Sequence, residues 1–227
     1  MITIHPLEGV PEIAAGDDLA QLLFAAAHPA PGFEDGDVLV VTQKVVSKAE
    51  GRLGNKADKS RLVADASARV LRRSGTMMIA ETTHGFVCAN AGVDESNVEL
   101  GRVALLPLDP DLSARRIKKV IEHLSGADIA VIVSDTFGRA WRLGQTDVAI
   151  GVAGIRPFKD YIGTKDTQGR EMVGTRICIA DELASAAEMV MGKAEGICAA
   201  IVRGAPVTIG RGAAAEIVRP PEQDFFR

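Results

Sequence analysis

No apolar run in this 227-residue chain approaches the roughly 20 residues that a membrane-spanning helix needs. The opening MITIHPLEG also lacks a charged segment followed by an apolar stretch, so no export signal is read there. A cytoplasmic protein with no membrane partner is expected. Cysteine is scarce. Cys88, Cys178 and Cys198 lie far apart in apolar sequence, which argues against a disulfide framework or a thiolate zinc site and for buried, reduced thiols. His5, His28, His84 and His123 form no H-x-x-x-H spacing, so zinc is not expected. Excess positive charge is missing too: the net charge is −4, and a nucleic-acid partner, which would need a basic face, is not expected. There is no internal repeat, low-complexity tract or Pro/Ser-rich linker, and no G-x-x-x-x-G-K-[ST] sequence, which excludes a P-loop. Near the C-terminus Gly210, Arg211 and Gly212 precede a short helical stretch and mimic a dinucleotide-binding turn. The acid-bearing second strand that such a fold requires about 20 residues later has no room before Arg227.

What is present is an ordinary globular composition, 47 % apolar and 4 % aromatic, long enough for one substantial core or two small ones. Strands are expected at Ile2–His5, Val38–Thr42, Met77–Ala80, Val103–Leu106, Ile129–Val133, Val148–Val152, Arg176–Ala180 and Ala199–Val202. Helices are expected at Asp18–Ala27, capped by Asp17, at Lys59–Arg73, at Ala114–Leu124 after Ser113, and at Glu182–Lys193 after Asp181. Their alternation predicts an α/β protein with mixed β-sheets and flanking helices. Gly75 and the helix around Met189 mark borders for a discontinuous, two-part subunit. Residues 1–75 plus 190–227 would form the larger α/β domain, and residues 76–189 the smaller.

The densest chemistry lies in VIVSDTFGRAWRLGQTDVAIGVAGI, Val131 to Ile155. A β-branched strand delivers Ser134, Asp135 and Thr136 into a segment containing Gly138, Arg139, Arg142 and Asp147. Ligands of open α/β sheets gather outside strand carboxyl ends. A carboxylate beside a hydroxyl offers hard oxygens for Mg²⁺ or Mn²⁺, and the arginines offer bidentate contacts to phosphate or carboxylate. The alternative is that Asp135 caps a turn and the arginines are solvated. In Gly36 to Arg52, GDVLVVTQKVVSKAEGR, a hydrophobic strand leads into Lys44 and Lys48, which share a helix face; on an exposed helix they would be a solvated pair, and among apolar neighbours they need an anionic partner such as a nucleotide. In ANAGVDESN, Ala89 to Asn97, small residues let backbone and ligand approach closely, and Asp94 is positioned to hold a metal together with Asp135. A purely local Asx turn is the competing reading.

Together GDVLVVTQKVVSKAEGR, AGVDESN, VSDTFGRAWRLGQTDVAIGVAGI and the opening PLEGVPEI resemble the coenzyme F420-0:L-glutamate ligase family, in its stand-alone form, from residue 6 to about residue 220. The resemblance implies a GTP-dependent ligase that joins L-glutamate to the deazaflavin precursor coenzyme F420-0, and then adds γ-linked glutamates, through an acyl phosphate. It implies an intertwined homodimer, two divalent metals per site (Mg²⁺ or Mn²⁺) and an assisting K⁺. By position Asp94, Asp135 and Thr136 match metal ligands. Val10, Pro11, Glu12, Ile13, Gln43, Lys44, Lys48 and Asn97 match nucleotide contacts, with Gly210 and Gly212 in a candidate nucleotide loop. Arg139 and Arg142 are assigned, with Asp94 and Asp135, to catalysis, as grips for the acidic substrate. The pattern departs at Thr208 to Gly212, where relatives carry an acid and this chain has none before Glu216. That departure removes the expected third metal contact, and two readings fit it: Arg211 supplies the charge with its guanidinium, or the loop serves a different nucleotide or acceptor. Two other functions fit the same clusters: an amide ligase for a different small-molecule acceptor, and a non-catalytic nucleotide-binding protein.

Overall fold

A computed structural model describes residues 1–225. In chain order the strands are β1 Thr3–Pro6, β2 Val38–Thr42, β3 Leu53–Asn55, β4 Ser67–Ser74, β5 Met77–Thr82, β6 Val87–Ala89, β7 Arg102–Ala104, β8 Ala130–Arg139, β9 Arg142–Ala153, β10 Lys159–Asp160, β11 Arg176–Ile177 and β12 Ala199–Arg203. The helices are α1 Leu19–Ala26, α2 Gln43–Ala49, α3 Lys59–Ala66, α4 Pro110–Ser125 and α5 Ile179–Met191. Five strands form the central sheet in the order β1-β12-β2-β8-β9. Only β2 and β8 run parallel; the other neighbours are antiparallel. The expected α/β class with mixed sheets and flanking helices is therefore the one observed.

The uninterrupted apolar runs of β2 and β8 follow from cover on both faces of this sheet. Side chains alternate along a strand, so Leu39, Val41, Val131 and Val133 meet α1 and α4, while Val38, Val40, Ala130 and Ile132 meet α5. These side chains are fully buried. At about 1.5–3 kcal/mol for each large apolar residue, they dominate the stability of the layer. Helix starts follow capping chemistry. Asp18, rather than Asp17, caps α1 by accepting from the Gln21 amide at 3.2 Å. Asp109 caps α4 through the Leu112 amide at 2.8 Å, and Pro110 occupies the first turn, where its missing N–H costs nothing. That helix thus begins four residues before the expected Ala114.

Two expectations are corrected, one by long-range strand pairing and one by a helix start. The helix expected over Lys59–Arg73 stops at Ala66, because Ser67–Ser74 turns through Gly75 and pairs with β5, where Arg69 meets Glu81 at 3.3 Å. The strand expected at Arg176–Ala180 is two residues long, since Ile179 already starts α5. The stretch Ala213–Val218 forms a single 3₁₀ turn, Ala214–Glu216. Among the described residues no helix is long and apolar enough to cross a membrane.

Candidate active site

Register places the site. Thr42 at the end of β2 stands opposite Ser134 on β8, so the parallel pair delivers α2 and the Ser134–Thr136 segment to one end of the sheet. Beyond that point β8 does not become a loop. It continues to Arg139 and turns into β9, so the expected contact loop is a β-hairpin overrunning the sheet. A cleft of about 1150 Å³ opens there. Val10, Pro11, Glu12, Ile13, Gln43, Lys44, Lys48, Asp94, Asn97, Asp135 and Thr136 all line it. One wall thus gathers residues that the sequence scatters over more than a hundred positions.

On α2 the two lysines share a face, as their spacing predicts. Each finds its anion within the chain: Lys44 binds the Asp94 carboxylate and the Ser96 carbonyl and hydroxyl, both 2.7 Å away, and Lys48 binds Glu12. Gln43 is buried beside them. Its Oε1 accepts from Ser47 at 2.9 Å, while Nε2 has no acceptor among the described residues.

Asp94 sits at the end of a strained turn in which Asn90 and Ala91 both have φ of 50°. Reciprocal backbone bonds to Ala104 of β7, 3.0 and 2.8 Å, fix the residue. Its Oδ1 accepts from the Glu95 amide at 2.7 Å and the Ser96 amide at 3.2 Å, and its Oδ2 takes Lys44 and the Ser96 hydroxyl. Burial opposes the charge of Asp94, but the bonds from Lys44 and Ser96 outweigh it and hold the carboxyl below its usual pKa. The Asx turn and the cleft position coexist. Asn97, at φ 52°, turns its amide to the Lys193 carbonyl at 3.2 Å.

Asp135 is different. Burial pushes its pKa up to about 7; the Thr136 amide and the charge of Lys44 only partly offset this, and Asp147 and Asp94 add repulsion. Asp147, which stands opposite Thr136 in the hairpin register, is 1 % exposed and accepts from Ser134 Oγ at 3.0 Å and Thr136 Oγ1 at 2.6 Å. Lys193 completes this corner, with Nζ 2.9 Å from Asp147 Oδ1 and 2.6 Å from Thr136 Oγ1. The turn that brings it there needs Gly192, whose φ of +59° ends α5.

The remaining sequence candidates lie elsewhere. Arg139 and Arg142 pair at the hairpin tip outside this cleft, where Arg139 Nη2 donates to the Leu143 carbonyl at 2.7 Å. Gly210 and Gly212 pack against the far end of β9. The Gly210 amide donates to the Gly154 carbonyl at 3.0 Å, and a Cβ on Gly212 would stand 2.1 Å from the Ile155 carbonyl. Their visible role in the chain is close backbone packing, and exposed Arg211 stays with that loop. Lys193 is not among the sequence candidates and Asp147 has no role among them; Lys193 reaches Thr136 from 57 residues away, so no local signal marks it. Among the described residues no three His, Cys, Asp or Glu side chains converge to hold a metal by themselves.

Comparison with known proteins agrees on one group. The profile of the F420-0:gamma-glutamyl ligase family matches residues 9–204. The coenzyme F420:L-glutamate ligase of Methanothermobacter thermautotrophicus is 41 % identical over 249 aligned positions, covering 100 % of this chain and 99 % of the relative. The enzymes of that name from Archaeoglobus fulgidus and Methanocaldococcus jannaschii are 41 % and 40 % identical, covering 100 % and 96 % of this chain and 96 % and 94 % of themselves.

Proposed function

Because this chain belongs to the F420-0:gamma-glutamyl ligase family, we propose that it forms an amide between the L-glutamate amine and the carboxylate of coenzyme F420-0, at the expense of GTP. The observation that carries this reading is the single cleft in which Lys44, Lys48 and Lys193 meet Asp94, Asp135 and Asp147. An unactivated carboxylate is a poor electrophile. Passing a phosphoryl group to it first is chemistry that demands clustered positive charge and hard oxygen ligands.

In this reading an oxygen of the acceptor carboxylate attacks the γ-phosphorus, GDP departs with the bridging oxygen and its electron pair, and an acyl phosphate results. The glutamate nitrogen, having lost its proton, adds to the acyl carbon and expels phosphate. Lys44 and Lys48 bind the nucleotide anion. Glu12, 83 % exposed at its side chain, is a partner that water can take over when Lys48 turns to phosphate. The buried Gln43 amide offers one further donor. The donor chemistry fits a hard divalent cation at Asp135, a carboxylate in the cleft wall with no ammonium or guanidinium partner among the described residues and a charge that burial disfavours. Mg²⁺ or Mn²⁺ held there, with Asp94 beside it, would neutralise charge on the transferring phosphoryl group.

An intertwined homodimer of two-part subunits belongs to the same proposal. The tip of the β8–β9 hairpin supports it, since it leaves Trp141 and Leu143 at 83 % and 97 % exposure. Mass spectrometry of coenzyme F420-0 incubated with the protein, GTP, L-glutamate and Mn²⁺ tests the reaction. A product heavier by one glutamate residue, absent without GTP, is expected. An unchanged precursor with an intact, folded protein would refute it.

A further inference from the structure

Of the three aspartates that line the cleft, two already have a cation. Asp94 has Lys44, and Asp147 has Lys193. The second pair is the more telling, because Asp147 is almost fully buried and Lys193 is the one cation on it among the described residues. The same ammonium lies 2.6 Å from Thr136 Oγ1, an oxygen that the family resemblance assigns to a metal. Thr136 donates its proton to Asp147 Oδ1, so its lone pairs face Lys193. Glu188, 3.5 Å from the same nitrogen, steadies it from α5, and Asn97 holds the Lys193 carbonyl. A divalent ion on Thr136 would have to displace the ammonium from both oxygens, and would then leave it stranded beside a double positive charge.

Thr136 therefore does not fit the metal role. Resting on the ligase reading above, we propose that Lys193 is the fixed cation of the Thr136–Asp147 corner, facing the nucleotide phosphates in place of a second divalent ion, and that each site holds one divalent ion, at Asp135. Lysine suits this post as a compact charge on a flexible stem, about half exposed to the cleft here, so it can follow a phosphate without leaving Asp147.

Equilibrium dialysis against Mn²⁺ and the non-hydrolysable analogue guanosine 5′-(β,γ-imido)triphosphate decides the matter, with bound manganese counted by atomic emission and bound nucleotide by absorbance. One Mn²⁺ per bound nucleotide is expected in the wild type, and two in Lys193→Gln. Two in the wild type, or one in both proteins, would overturn the Lys193 assignment while leaving the ligase reading standing. No nucleotide and no Mn²⁺ retained by the wild type would sink both. Lys193→Met, equally uncharged, serves if the Gln variant loses its circular dichroism signature, and the wild-type count decides on its own.

Discussion

Asp37, at the head of β2, and Arg203, at the end of β12, form a two-pronged ion pair: Nε reaches Oδ1 and Nη2 reaches Oδ2, each at 2.8 Å. Arg203 also binds Glu34 at 2.6 Å and the Gly32 carbonyl at 3.0 Å, while the Asp37 side chain is fully buried. Removing the guanidinium strands a buried carboxylate, which costs about 3–5 kcal/mol. Arg203→Met is therefore expected to lower the urea midpoint sharply. An unchanged midpoint would mean that the pair is not the clasp between these strands.

Lys48 can be neutralised without leaving a buried charge behind, because its partner Glu12 is exposed. Lys48→Met should keep its fold. Loss of one charge-assisted hydrogen bond of roughly 1.5–3 kcal/mol predicts a rise of about tenfold or more in KM for GTP. Steady-state kinetics at saturating glutamate checks this, and an unaltered KM would remove Lys48 from the nucleotide's surroundings.

Asp181, in the first turn of α5, is held above its usual pKa by burial, although it accepts from the Ala149 amide at 2.9 Å. A carboxyl raised on folding contributes stability while protonated and loses that contribution as pH rises from its unfolded to its folded value. Asp181→Asn keeps an acceptor for Ala149 and carries no charge. Its Tm should match the wild type below about pH 3.8, the unfolded value, and equal or exceed it at pH 7. A variant that is less stable at pH 7 would contradict this.

Burial drives the Cys88 and Cys178 thiols up to about 12 and Cys198 to about 11, with nearby acids adding to the rise. Thiolate is the reactive form, so iodoacetamide at pH 8 should label the native protein slowly and the urea-unfolded chain fully. Mass spectrometry of intact protein reads the difference. Rapid native labelling would show that these positions open.

The sheet and one wall of the site were legible because each rests on local pattern. The apolar runs Val38–Val41 and Ala130–Val133 signal strands covered on both sides, and lysines four apart announce a shared helix face. That Asp94 and Asp135 line one cleft was legible because the first follows a small-residue turn and the second a buried strand end, both places where ligands gather. Lys193 could not: it meets Thr136 across 57 residues, and nothing in its neighbours distinguishes it from a solvated lysine. Arg139 and Arg142 read as ligands from composition alone, yet the hairpin carries them past the cleft. The Ser67–Ser74 segment misled because helical spacing and strand spacing overlap in short runs, and its partner strand lies beyond a glycine turn.

Strands Val38–Thr42 and Ala130–Arg139 run side by side, and neighbouring strands stand about 4.8 Å apart whatever their side chains. The distance between the cationic helix and the acidic strand end is thereby a property of the hydrogen-bond ladder rather than of any loop. A substrate bound in this cleft would meet little backbone to rearrange, so binding energy that a floppy pocket would spend on ordering itself would remain for the transition state.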